Sequence, residues 1–481
     1  MPTSKPACAP SAYLNQVGSL MVVLFQRVLL QDHHVRNSGV KGSGVWWCGH
    51  DGSTLSYRRI NCLHWVVSSG RSNTIRDWNA TMKIEKVEDL HCGAGWRDFN
   101  FLKITTDNEV VGYSEFLEGF GSPGLTGVIR KLSQLIIGFD PRPVETITAY
   151  LRSVTRHVPG GMAAQAVAAI ENALYDIKAK DLGVPVSALF GGPFRTSLPI
   201  YWSHCGTFRL NHAEAMGRPQ PRSLDDIRAL GAEVKESGIK SLKTNIFLFD
   251  GDEPEVYMPG FGRSGGAPEL NGEPWLIDLI KSQMEAFREG AGPTMGLKLD
   301  LNFNFKTEGY IRVAKAHEDL EMDRLELDIF DPSSLAEVRR AAPMSVASLE
   351  SLFGRRQYKP FFDAAAVDVC IVDVPWNGIA EAVRVANLAE IYEVNVAAHN
   401  FNGHLGTLMG AHFCASVPNF RVLETDYEDV SWKDEVFDPV PIFENGELIL
   451  PEIPGWGTSI NEAVLAQYPP NNTMWIGARE G

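Results

Sequence analysis

Beyond residue 82 the apolar positions of the chain fall into two rhythms. Runs with a period of two, MKIEKVEDLHC and then FNFLKITTDNEVVGYSEF, predict two or three antiparallel strands that turn at Asp107-Asn108. The glycine-containing loop between them, 92–97, reads either as a flap that closes over a ligand, with Trp96 excluding water, or as an ordinary hairpin loop. Stretches with apolar residues at i, i+3 and i+4 predict helices at 125–135 and 143–154. A third helix runs through MAAQAVAAIENALYDIKAKDLG: Val167, Ile170, Ala173, Leu174 and Ile177 share a face, and Gly183 with Pro185 stops it.

From Leu198 the two rhythms alternate. LPIYWSHCG opens a series of strands continued at 241–245, 296–302, 325–328, 345–349, 367–373, 394–398 and 421–424, with helices at 224–237, 307–320, 379–392 and 406–416 among the connections. Such alternation predicts a parallel β/α barrel. One connection breaks it. DGDEPEVYMPGFGRSGGAPELNGEP, between Phe247 and Trp275, is too long and too rich in Gly and Pro for a usual β/α loop; it reads as a lid or substrate-sensing loop, or as a plain surface insertion.

Three carboxylates recur within this series. Asp300 ends GLKLD, Glu326 follows it by 26 residues in RLELDIFDP, and Glu350 follows by 24 more in SVASLES. In a parallel barrel the C-terminal strand ends converge on one rim, so these side chains are expected around one point. Three anions there need a counter-charge, and a hard divalent cation with oxygen ligands, Mg²⁺, is the natural one.

Composition narrows the class. The 481 residues are 44% apolar without an uninterrupted apolar run of 18, so a soluble globular protein with no membrane span is expected. A formal charge of −15 argues against nucleic acid as partner. Seven cysteines without a CxxC pair read as reduced thiols of a cytoplasmic protein, not as a disulfide frame or zinc site. Residues 1–81 differ from the rest: eight Lys and Arg against Asp32, Asp51 and Asp77. They read as a disordered extension or an artefactual upstream translation, with a mitochondrial-type leader as the less favoured alternative.

The motifs AIENALYDIKAKDLGVPVSALFGG, LKTN, LDLN, LELD, ASLES, VDVPWNG, VAAHNF and ENGELILPEIPGWG, in that order, resemble those of the mandelate racemase and muconate lactonizing enzymes of the enolase superfamily, over about 82–470. The resemblance implies an α/β fold: an α+β capping domain at 82–197, a modified (β/α)7β TIM-like barrel at 198–435, and a C-terminal segment, 436–481, returning to the cap. It implies Asp300, Glu326 and Glu350 as Mg²⁺ ligands, His399 as acid/base, Asp373 as the residue orienting its imidazole, and Glu424 as a carboxyl near the substrate's carboxylate. The chemistry is coherent. Removing the α-proton of a carboxylic acid makes an enediolate that a metal stabilises, and a histidine paired with a carboxylate suits the proton.

One departure bears on the reaction. The KxK that the family often carries on the second barrel strand appears here as Lys243-Thr244-Asn245. An amide cannot take a proton at neutral pH, so Asn245 leaves one face of the α-carbon without its usual base and becomes a substrate contact. Lys243 is left to neutralise substrate or enediolate oxygens, or to act as a repositioned base. Asn302, two residues beyond Asp300 on the same side of its strand, is placed at ligand or a metal-bound water. The resemblance, together with the polar residues His204, Arg209, Asn302 and Asn377 near predicted rims, implies a polyhydroxylated substrate. The expected activity is dehydration of an aldonate or aldarate to a 2-keto-3-deoxy acid by a homo-oligomeric lyase whose partner is a small carboxylic acid, with no nucleic acid or membrane involved. The alternatives are a racemase, epimerase or cycloisomerase using Lys243 with His399, and a non-catalytic metal-binding relative.

A chain beginning at Met82 is expected to fold and to keep its metal affinity, because strand periodicity starts there and nothing sustained precedes it. Solubility, circular dichroism and Mg²⁺ titration of the shortened chain check this; an insoluble product beside a soluble full-length chain would count against it.

Overall fold

The computed structural model describes residues 81–119, 121–261 and 272–470. The expectations placed on residues 1–80, the leader among them, lie outside the described residues. Strands β1 (Ile84–Gly93), β2 (Asp98–Thr106) and β3 (Val111–Phe116) form an antiparallel sheet in the order β1-β2-β3. Helices α1 (Leu125–Ser133), α2 (Val144–Val154) and α3 (Gly161–Leu182) follow. The sheet lies close on α3: a methyl group at Gly112 would fall 2.2 Å from the carbonyl oxygen of Ala173, so only glycine lets strand and helix approach.

Eight parallel strands then close a barrel: β4 (Ser197–Trp202), β5 (Ser241–Thr244), β6 (Gly296–Asp300), β7 (Arg324–Glu326), β8 (Ser345–Ser348), β9 (Val369–Asp373), β10 (Asn395–His399) and β11 (Phe420–Thr425). Closure is the pairing of β11 with β4, where Glu424 lies opposite Tyr201. Helices connect each strand to the next and none follows β11 before the chain turns back, which is the (β/α)7β pattern. Antiparallel β12 (Ile442–Glu444) and β13 (Glu447–Ile449) extend the sheet beside β4. The C-terminal segment reaches the cap, with Trp456 Nε1 donating to Tyr113 O at 2.9 Å and Gly93 N to Tyr468 O at 3.0 Å.

Inside the barrel Tyr201, Ala347, Val369, Ile371, Ala397 and Val422 form a small apolar floor. Two of these are alanines, which leaves room for the Tyr201 ring, and three cations lie over it: Lys298 at 5.1 Å, Arg324 at 5.2 Å and Lys243 at 5.6 Å from the centroid. The long connection after β5 forms a short hairpin, Phe247–Leu248 with Glu255–Val256, and a single turn at Pro259–Phe261; its middle, 262–271, lies outside the described residues.

His412, on the helix His404–Ala415, ties the barrel to both flanking segments. Its Nδ1 accepts from Ser187 N and its Nε2 donates to Trp456 O, each at 3.2 Å. Burial, slightly offset by the Trp456 bond, pulls its pKa down to about 4. The unfolded imidazole protonates near 6.5, so the stability held by the neutral form is complete above 6.5 and lost as pH falls toward 4. Lowering the pH from 7 to 5 should cost about 2 kcal/mol through this residue, read as a drop in the urea midpoint that is smaller in His412→Gln.

Candidate active site

All eight barrel strands end on one rim, and their register decides which side chains meet there. Parallel pairing sets Asp373 opposite His399 across β9 and β10, and Asp300 opposite Glu326 across β6 and β7. His399 Nδ1 lies 2.5 Å from Asp373 Oδ2, while Asp373 Oδ1 accepts from Trp376 N at 2.7 Å and is fixed from behind. His399 Nε2 faces Glu350 Oε2 at 3.7 Å, and the Trp376 ring packs 5.1 Å from the imidazole. Burial draws the His399 pKa down, but Glu350, Asp373 and Glu424 together outweigh it and the net direction is well upward.

A cavity opens above these groups. Its polar wall is His204, Lys243, Asp300, Asn302, Glu350, Ser351 and His399; its apolar wall includes Phe208, Phe261, Phe303, Trp376, Phe401 and Met258. The described part of the long connection therefore supplies two wall residues, Met258 and Phe261. Glu350 follows a buried leucine, Leu349, held at φ +91°, a left-handed conformation that costs a residue other than glycine about 1–3 kcal/mol.

Lys243 sits at the base of the cavity among carboxylates. Its Nζ is bonded to Glu326, lies 2.7 Å from Glu424 Oε1 and 3.4 Å from Asp300 Oδ2. Burial pulls its pKa down, but Glu326, Glu424, Tyr201 and Asp300 outweigh this and push it well up, so the amine is held as a cation. Glu424 also accepts from Ser203 Oγ at 2.5 Å and Asn400 N at 2.9 Å, and does not reach the cavity wall. Asn245 is taken up by other side chains: its Oδ1 accepts from Thr207 Oγ1 at 2.9 Å and its Nδ2 donates to Asn302 Oδ1 at 3.1 Å. It orients Asn302, which does line the cavity.

The carboxylates suit a hard cation by their chemistry. Glu350 is pushed well up by burial, with Asp328, Glu326 and Asp300 adding to it against His399, and Asp328 is pushed up to about 7 by burial and then by Asp300 and Glu326. That is buried negative charge short of a positive partner, supplied wholly by oxygen donors. As the side chains stand, Lys243 draws Glu326 and Asp300 while Glu350 turns to His399, and among the described residues no three acidic, His or Cys groups converge on one point.

Three expected substrate contacts lie elsewhere. Arg209 is spent on acidic partners, with Nη1 and Nη2 at 2.8 and 2.9 Å from the Glu233 carboxylate and a further bond to Glu428. Trp96 is buried, stacked 4.1 Å from Phe208 and donating to Asp429 at 3.1 Å, so it backs the cavity wall without forming it. Asn377 is likewise engaged within the fold, donating to Leu352 O at 3.1 Å and Asp373 O at 3.2 Å and accepting from Gly354 N at 2.8 Å. His204 does line the cavity. Sequence reasoning missed Arg324, whose Nη2 donates to Glu326 Oε2 at 2.9 Å, though its position two before Glu326 on the same strand face was a legible signal. It also missed Asp328, two residues beyond Glu326 and so equally legible, and Asp426, for which no pattern existed.

Residues 94–191 match the mandelate racemase / muconate lactonizing enzyme N-terminal domain, and residues 227–464 the enolase C-terminal domain-like family. The chain belongs to the mandelate racemase/muconate lactonizing enzyme family of the enolase superfamily. Among its relatives, D-xylonate dehydratase of Haloferax volcanii is 25% identical over 382 residues, 78% of this chain and 86% of that protein. D-mannonate dehydratase of Novosphingobium aromaticivorans is 26% identical over 385 residues, 78% and 92% respectively. A crystal structure from Burkholderia xenovorans strain LB400, provisionally described as an L-alanine-DL-glutamate epimerase, is 43% identical with TM-score 0.79, covering 81% of this chain and 99% of that one. A second structure of that protein, with the same identity and TM-score, is bound to magnesium and fumarate and is covered to 97%, against 81% of this chain. Family membership fixes the barrel-with-cap architecture already described; the roles of individual residues rest on the geometry above.

Arg209→Met should leave the buried Glu428 carboxylate without its cation and cost about 3 kcal/mol of stability, with KM for any substrate unchanged. Urea unfolding and steady-state kinetics measure the two separately; a raised KM at full stability would return Arg209 to the substrate.

Proposed function

We propose that this chain is a Mg²⁺-dependent hydro-lyase that removes the α-proton of a hydroxy acid of the aldonate or aldarate type and expels its β-hydroxyl, giving a 2-keto-3-deoxy acid. The observation that carries this reading is that a histidine–carboxylate pair faces the carboxylate cluster from β10 while β5 and its end present an amide and a paired cation. His399, backed by Asp373 at 2.5 Å, faces the carboxylate cluster, whereas Asn245 is an amide committed to Thr207 and Asn302, and Lys243 is a cation held among three carboxylates. Dehydratases among the relatives support the same reaction class.

Asp300, Glu326 and Glu350 are the residues that would hold the cation. When bound, it supplies positive charge beside the substrate carboxylate, where the enediolate's second negative charge develops. The chain's own groups do the rest. His399 Nε2 takes the α-proton, and Asp373 keeps Nδ1 protonated and the ring aligned. Lys243 adds a fixed positive charge at the cavity base. Asn302, oriented by Asn245, and Ser351 offer hydrogen bonds to substrate hydroxyls, and the aromatic wall excludes water from the reacting carbons.

Epimerisation is the second reading, favoured by the provisional description of the 43% identical structure. It needs a second proton carrier on the opposite face, for which Lys243 and His204, both in the cavity wall, are the candidates. Incubation of the enzyme with sugar acids in D₂O separates the two. Dehydration gives a keto acid and no α-epimer; accumulation of α-epimer without keto acid would replace the proposal with the second reading. His399→Asn should abolish both turnover and α-deuterium exchange, by roughly 1,000-fold or more, while Mg²⁺ affinity measured by calorimetry stays unchanged. Glu350→Gln should do the reverse in the calorimeter, weakening Mg²⁺ binding at least about tenfold by removal of an anionic ligand. Full turnover in excess chelator would refute the metal assignment.

A further inference from the structure

The rim carries a second histidine–carboxylate pair that the reaction above does not use. His204, just beyond β4, has Nδ1 2.7 Å from Asp426 Oδ1, just beyond the adjoining strand β11. The arrangement repeats that of His399 with Asp373: two neighbouring parallel strands, one giving the imidazole and the other the carboxylate. Both histidines line the same cavity. The ring of His204 is held between Phe208, at 4.8 Å, and Phe401, at 5.2 Å, and its backbone takes the left-handed φ of +48°, uncommon for a residue other than glycine.

Asp426 is itself held in place. Arg97, from the loop between β1 and β2 of the cap, donates to Asp426 Oδ2 at 3.0 Å and bonds Asp429, and Lys433 Nζ donates to Asp426 O at 3.0 Å. Arg97, Asp426 and Asp429 are all buried, so the support behind His204 is shielded from water while the imidazole itself reaches the cavity. With Nδ1 engaged by Asp426, Nε2 is the nitrogen left for the cavity that the residue lines.

We propose that His204 is a second proton-transfer residue of this site, the general acid that protonates the departing β-hydroxyl, with Asp426 and Arg97 as its positioning residues. This rests on the dehydration reading. The Cα–H bond breaks with its proton passing to His399 Nε2; the electron pair left on Cα forms the new carbon–carbon double bond as the Cβ–O bond breaks. The oxygen leaves with the proton from His204 Nε2 as water. The enol product then takes a proton at Cβ to become the keto acid, and the proton on His399 returns through solvent to His204, so the cycle needs no other reactant. Because Arg97 belongs to the cap, the acid is complete only when the cap is seated on the barrel.

The acid that the wild type dehydrates fastest, and its analogue with fluoride in place of the β-hydroxyl, test this. Fluoride departs without a proton; hydroxide does not. In His204→Asn the kcat for water loss should fall roughly 100-fold or more, fluoride release should stay within about threefold of wild type, and α-deuterium uptake in D₂O should persist. Equal loss of both eliminations, or a rise in KM alone, would overturn the proposal and leave His204 a binding or structural residue. If His204→Asn does not fold, Asp426→Asn must show the same split in smaller degree, or the proposal fails. A His399→Asn enzyme that still exchanged its α-proton would instead overturn the reading on which the proposal rests.

Discussion

Crowded negative charge at the barrel mouth is the constraint on which the rest of this structure turns. Asp300, Glu326, Asp328 and Glu424 are buried there and Glu350 nearly so, and carboxylates at such spacing repel one another strongly wherever water is excluded. The protein offsets this from below and from the side. Lys243 and Arg324 reach up from the barrel interior to Glu326, and both, with Lys298, rest over the ring of Tyr201. The alanines at 347 and 397 make room for that ring. A polar layer of cations is thereby built between an apolar floor and an acidic rim.

The same logic extends to the cap. Its attachments to the barrel rim are polar where they approach the site. Glu115 accepts from Gly403 N and Gly406 N, at 2.6 and 2.8 Å, at the N-terminal end of the helix His404–Ala415, and Arg97 is paired with Asp426 and Asp429. Burial pushes Glu115 up to about 7, with the two amides and Arg97 pulling against it. Helix α3 is tied to the barrel by directional bonds too: Asn172 Nδ2 donates to Val374 O at 3.1 Å, and Asn172 Oδ1 and Glu171 accept from Ile379 N and Ala380 N at 2.9 and 3.0 Å.

Much of this was legible in the sequence. The switch between periods of two and 3.6 located the cap strands and the eight barrel strands within a few residues, because each half-buried strand and each amphipathic helix must present its apolar side to one core. Strand-end positions of Asp300, Glu326, Asp373 and His399 followed from the same pattern, since the C-terminal ends of parallel strands share a rim. The replacement of a lysine by Asn245 was visible too, and so was its chemical consequence.

What the sequence could not determine is which polar groups spend their bonding capacity on each other. Arg209, Trp96 and Asn377 have the composition of ligand contacts, yet each is consumed by a partner distant in the chain: Glu233 and Glu428, Asp429, and the backbone of Leu352 and Gly354. Asn245 faces Thr207 and Asn302, and Lys243, at the cavity base, is paired with three carboxylates. The pairing of His204 with Asp426 spans 222 residues and arises only because β11 closes the barrel against β4. Periodicity is a local property, and one strand's pattern reports which way its side chains point. Hydrogen-bond partnership across a closed barrel depends on register between strands that are neighbours in space alone, and only the tertiary structure sets it.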